Sequence, residues 1–124
     1  MRYDVVIIGA GAAGFACALT LGSANDKFDW AKDKKYLILD DNKSDLNVGK
    51  YFNVAGVDSG INGVDLLLKM KKQLEIYKDV ELKDEKATKI ENLGEYFKIT
   101  TENSTFEASI IVLATGLHKF DIEC

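Results

Sequence analysis

The chain has 124 residues, 47% of them hydrophobic and 29% charged, with a net charge of −4. That balance describes one soluble globular domain, long enough to bury a core without disulfides or metal. The charges form no basic stripe and no apolar run approaches bilayer length, which argues against nucleic-acid partners and against a membrane span.

Arg2 to Ile8 reads as a short buried strand, and Gly9-Ala10-Gly11-Ala12-Ala13-Gly14 follows it directly. Phe15 to Leu21 then reads as the helix that this loop opens. A G-x-G-x-x-G run between a strand and a helix is a dinucleotide-binding fingerprint. Gly9 permits the turn, Gly11 lets a pyrophosphate meet bare backbone, and Gly14 lets helix and strand pack closely. The free N–H groups of the first helical turn, with the Ala12 and Ala13 backbone among them, would face the phosphates.

Gly22 to Lys35 is polar and is expected to be irregular; it carries the only tryptophan, Trp30. Tyr36 to Leu39 is a second strand ending at Asp40. That acid stands 26 residues after Gly14, against a usual spacing of about 20, and the excess fits an insertion between helix and strand. Asp40 can accept hydrogen bonds from both hydroxyls of an adenosine ribose, and its charge disfavours a 2′-phosphate. Asp41 is the neighbouring candidate, expected to point to the opposite face.

A loop from Asp41 to Ile61 leads to Asn62, which can cap a second helix with Asp65 in its first turn. Leu67, Met70, Leu74 and Tyr77 recur at helical spacing as its apolar stripe, and Lys69, Lys71 and Lys72 mark a solvated face. Val80 to Leu82 fits a short parallel strand at the sheet edge. Three alternating runs follow, Ala87 to Ile90, Tyr96 to Thr101 and Thr105 to Ala108, separated by turns: an antiparallel meander where a Rossmann unit would place a helix. Ile110 to Leu113 is a continuous apolar run suited to a strand covered on both faces, and Ala114-Thr115-Gly116 ends it.

Cys17 and Cys124 make no pair and His118 is the sole histidine, so neither a local redox dithiol nor a metal site is expected. The N-terminus enters the first strand at once, without the length of a signal peptide, and the expected compartment is cytoplasmic. The fold class expected is α/β: a three-layer Rossmann-like FAD/NAD(P)-binding domain over residues 1–124, with a parallel sheet and an antiparallel β-meander crossover. The glycine fingerprint alone leaves a dehydrogenase's NAD-binding domain open, and also a non-catalytic nucleotide-binding or scaffold domain.

Thr105, four intervening residues, Ile110 to Leu113 and then Ala114-Thr115-Gly116 resemble the second FAD fingerprint of flavoproteins with two dinucleotide domains. With Gly9, Gly11, Gly14 and Asp40, the chain is similar to the N-terminal FAD segment of thioredoxin reductase-like pyridine nucleotide-disulfide oxidoreductases. Tyr51-Phe52-Asn53-Val54-Ala55-Gly56, followed by Gly60 to Leu66, resembles that family's asparagine–glycine loop. The resemblance implies FAD as cofactor, with Asn53, Ala114, Thr115 and Gly116 joining Gly9, Gly11, Ala12, Ala13, Gly14, Asp40 and Asp41 as contact residues.

Two departures stand out. The family's glycine–glycine–glutamine turn is replaced by Ser44-Asp45-Leu46-Asn47-Val48-Gly49-Lys50, and the cysteine pair of the related disulfide reductases is absent. Full-length relatives insert a nicotinamide domain after the second fingerprint and then return to finish the FAD fold. The chain is therefore expected to be an incomplete domain, not catalytically complete by itself. The edge beside Ile110 to Leu113 would be left for a homo-oligomer or a partner segment to cover.

Overall fold

The computed structural model describes residues 1–117 and 120–124, so His118 lies outside the described residues. The strands are β1 (Arg2–Ile8), β2 (Tyr36–Leu39), β3 (Lys50–Tyr51), β4 (Ile61–Asn62), β5 (Val80–Lys83), β6 (Ala87–Asn92), β7 (Phe97–Thr101) and β8 (Thr105–Leu113). The helices are α1 (Ala12–Lys27) and α2 (Gly63–Leu74), with 3-10 turns at Asp29–Ala31 and Asp45–Asn47.

Six strands form one sheet in the order β5-β2-β1-β8-β7-β6, while β3 and β4 make a separate antiparallel ribbon. β5, β2, β1 and β8 run parallel, with Val5 opposite both Tyr36 and Ile110. The side chains of β1 then divide two cores. Val5 and Ile7 face Phe15, Ala18, Ile38 and Leu74 on the helical side. Val6 and Ile8 face Ala87, Ile90, Ile99 and Ala108 of the meander. Helices, parallel sheet and meander are thus the three layers expected from the sequence, and the meander stands where a helix would cross over.

Three elements differ from the sequence expectation. α1 continues through Lys27 instead of stopping near Leu21. Gly22 is tolerated inside it because its bare α-carbon lies against Tyr77 and Val80; a Cβ there would sit 2.9 Å from the Tyr77 ring base. Close packing outweighs the propensity cost of the glycine. Second, α2 ends at Leu74, so Tyr77 packs from the following turn rather than from the helical stripe, and Leu66 is among its buried residues. Third, Thr105–Ala108 and Ile110–Leu113 belong to one continuous strand. The first half of β8 pairs antiparallel with β7, and from Glu107 onward β8 pairs parallel with β1.

That dual pairing leaves the far edge of the Ile110–Leu113 half without a strand. Ile111 and Val112 pack into the two cores, but Ile110 is 55% exposed and Leu113 52% exposed. The run is therefore only half covered, not covered on both faces. Asn62 caps α2 as expected, its Oδ1 accepting from the Asp65 N–H at 2.9 Å. Tyr3 donates its hydroxyl to Glu81; burial first, and then that carboxylate, push its pKa up to about 12.

The start of α2 sets a tight constraint. A Cβ on Gly63 would lie 1.3 Å from the Leu46 carbonyl oxygen, which no rotamer change relieves. Gly63→Ala is expected to separate α2 from the 3-10 turn at Asp45 and to cost about 1–3 kcal/mol, the scale of forced overpacking. Urea denaturation against wild type measures this, and an unchanged midpoint would contradict it.

Candidate functional site

The carboxyl ends of β1, β2 and β8 open into one cavity of about 640 Å³. This is the place where an open α/β sheet reverses strand order around β1, the usual seat of a ligand in such sheets. Gly9, Gly11, Ala12, Ala13, Asp40, Asp41, Ala114, Thr115 and Gly116 all line it. Gly14 does not; it is buried beneath the loop. Asn53 does not either, sitting exposed in the loop between β3 and β4.

The three glycines of the first fingerprint do different physical work. Gly9 has φ +108, and a Cβ there would stand 2.1 Å from the Ala114 carbonyl oxygen, so this turn is also where the two fingerprints touch. A Cβ on Gly14 would meet the Gly9 carbonyl at 1.8 Å, which fixes how closely α1 approaches the loop. Gly11 is unlike both. Its missing side chain would meet only the Ser44 side chain, with Oγ at 2.9 Å, so the space above it belongs to the cavity and not to the core.

Gly11 is also the N-cap of α1, and no side chain caps the helix and no acid occupies its first turn. The positive end of the helix dipole and its unpaired N–H groups therefore open on the exposed Ala12–Ala13 backbone. Beside the end of β1, Asp40 follows β2 and lines the same cavity. Its Oδ1 accepts from the Asn42 N–H at 2.8 Å, and Asp41 makes the same kind of turn to Lys43 at 3.0 Å. Strand pairing of β2 stops at Leu39, so alternation no longer governs these two acids. Asp41 lines the same cavity as Asp40.

Several lining residues had no sequence signal. Glu85, Lys86 and Ala87 enter from the start of β6, and Phe120, Asp121 and Ile122 from the C-terminal stretch. That stretch is fastened by paired backbone bonds, Ile90 N–H to the Glu123 carbonyl at 2.7 Å and Glu123 N–H to the Thr88 carbonyl at 3.0 Å. Ile122 is buried in the meander core, and Lys86 pairs with Asp121 at 2.7 Å. Glu85 is held by the hydroxyls of Thr101 at 2.9 Å and Ser104 at 3.1 Å. Nothing in a lysine–aspartate pair 35 residues apart announces itself in sequence. No cluster of three metal-ligating side chains occurs among the described residues.

The comparisons with known proteins agree with this geometry. Residues 3–124 match the model of the pyridine nucleotide-disulphide oxidoreductase family. The chain belongs to that family. It is 31% identical over 114 residues to thioredoxin reductase of Treponema pallidum (strain Nichols), covering 92% of this chain and 35% of that protein. Thioredoxin reductase from Gloeobacter violaceus superposes with a TM-score of 0.82 at 28% identity, covering 96% of this chain and 38% of that one. For Lactococcus lactis thioredoxin reductase (FR conformation) the TM-score is 0.78 at 33% identity, over 96% and 37% of the two chains. The chain is a thioredoxin reductase-like member and spans little more than a third of the length of these relatives. It corresponds to their FAD-binding Rossmann-like segment.

The electrostatics of Asp40 carry a consequence for stability. Its carboxyl is held above the ordinary range, chiefly by burial; Asp84 and Asp41 push the same way, while the Asn42 N–H and Lys71 oppose. A raised carboxyl pKa means that the fold favours the protonated acid. That contribution is fully present below the unfolded value and is lost as pH rises through the folded one. Asp40→Asn keeps the bond to Asn42 and removes the charge. The variant is expected to melt higher than wild type at pH 7, with the difference vanishing below about pH 4. Thermal melts across that range check the sign.

Proposed function

We propose that this chain binds FAD by its adenosine–pyrophosphate half and is the FAD-binding part of a thioredoxin reductase-like oxidoreductase. The observation that carries this reading is the uncapped N-terminus of α1 opening, over the bare Gly11, into a cavity that Asp40 also lines. The residues fit the group. First-turn N–H groups are aimed where a pyrophosphate belongs, the Gly11 position is clear of core atoms, and a half-buried carboxylate stands at the end of β2. Bound there, FAD supplies a two-electron carrier that the side chains lack.

Each chain group then has a definite task. The α1 dipole and first-turn backbone N–H groups face the pyrophosphate. The Asp40 carboxylate accepts from ribose hydroxyls, and its charge repels a 2′-phosphate. Gly116, at φ +78, lets the second fingerprint turn away above β8. A reducing, cytoplasmic setting is part of the reading, since Cys17 and Cys124 are both free thiols. No helix among the described residues is long and apolar enough to cross a membrane.

Two measurements test it. Gly11→Val is expected to abolish FAD and ADP binding while leaving the circular dichroism of the sheet intact, because the added side chain fills the phosphate's space. Calorimetry showing wild-type affinity in the folded variant would overturn the assignment. We also expect the chain to self-associate through the open β8 edge at Ile110 and Leu113, and light scattering showing a monodisperse monomer would contradict that.

A further inference from the structure

We infer that Ser44 is a direct pyrophosphate ligand, a role in this chain for the turn that stands where the resembled family has glycine–glycine–glutamine. The inference rests on the dinucleotide reading above and goes further, to one side chain. Ser44 precedes the 3-10 turn at Asp45–Asn47, and its Oγ accepts from the Leu46 N–H at 3.2 Å. That bond uses a lone pair and leaves the hydroxyl proton to donate. No acceptor takes that proton among the described residues.

Its position settles where a donor could act. The Oγ lies 2.9 Å from the point that a Cβ on Gly11 would occupy, so it borders the space above the glycine loop. Ser44 lines the same cavity, beside the N-cap of α1. The turn is fixed from both sides. The Leu46 carbonyl abuts Gly63 at the start of α2, and the Asp45 carboxylate accepts the Leu117 N–H at 3.3 Å beyond the second fingerprint. The hydroxyl is therefore presented by an anchored turn to the place where backbone N–H groups converge. A phosphate oxygen in that place would receive one neutral side-chain donor in addition to the α1 amides. No lysine is needed there.

The test is calorimetric titration of ADP into the chain and its variants, with adenosine followed in parallel by NMR. Ser44→Ala is expected to weaken ADP about tenfold, the scale of a hydrogen bond to a charged group, and to leave adenosine unchanged. Ser44→Thr keeps a hydroxyl and should retain ADP. Ser44→Asp keeps the capping acceptor but loses the proton and adds like charge, so it should lose more than Ser44→Ala. Circular dichroism confirms that each variant is folded. Wild-type ADP affinity in Ser44→Ala overturns the inference. So does tight ADP binding by Ser44→Asp, which would make the residue a cap only. A wild-type chain that takes no ADP overturns the dinucleotide reading itself, a distinct result.

Discussion

Two backbone collisions avoided, at Gly9 and Gly14, hold the rest of the molecule in place. The Gly9 α-carbon lies so close to the Ala114 carbonyl that a methyl would stand at 2.1 Å, and the Gly9 carbonyl in turn occupies the space of a Gly14 side chain. Backbone therefore packs on backbone where β1 ends, α1 begins and β8 ends. The Ala114 N–H closes the junction on the Ile8 carbonyl at 2.8 Å, and the Gly9 N–H reaches the Leu39 carbonyl at 2.9 Å. Three strands and a helix converge there on backbone-to-backbone contacts at Gly9 and Gly14. The cavity is what remains above that convergence, so its shape follows from the packing of the fingerprints rather than from any separate pocket-forming element.

The meander has a complementary role. A parallel sheet needs apolar cover on both faces. α1 and α2 cover one; β6, β7 and the first half of β8 fold back to cover the other with Ile90, Ile99 and Ala108. Because β8 belongs to both the meander and the parallel sheet, covering the second face and delivering Ala114-Thr115-Gly116 to the cavity are one structural act. The same economy explains the open edge. β7 stays with the front half of β8, and Ile110 and Leu113 emerge past it.

Local patterns with a fixed geometric meaning were readable from the residues alone. The strand–glycine loop–helix order, the Asn62 cap, the edge strand at Val80 and the turn-separated meander each follow from spacing or turn chemistry within a few residues. Asp40 was readable because a strand end fixes its place. What escaped reading depends on contacts between distant segments. α1 runs on through polar residues because Gly22 is matched by Tyr77, 55 positions away. Ser44, Lys86 and Asp121 enter the cavity through a turn, a strand start and the C-terminal stretch, none of which has a periodic signature.

The charge lining the cavity distinguishes between ways of holding an anion. Among the described residues Asp40, Asp41, Asp45, Glu85 and Asp121 outnumber Lys43 and Lys86, and Lys86 is already paired with Asp121. A pyrophosphate drawn in by side-chain cations would find an unfavourable field here. The favourable field comes from backbone, concentrated at the first turn of α1, where no acid intrudes and no side chain caps. On the proposed reading, acids placed away from that turn help by exclusion: they suit neutral ribose hydroxyls at Asp40 and discourage additional phosphate. On that reading, specificity is a matter of where each sign of charge is absent, and the bare glycine and the uncapped helix offer an anion more than any lysine does.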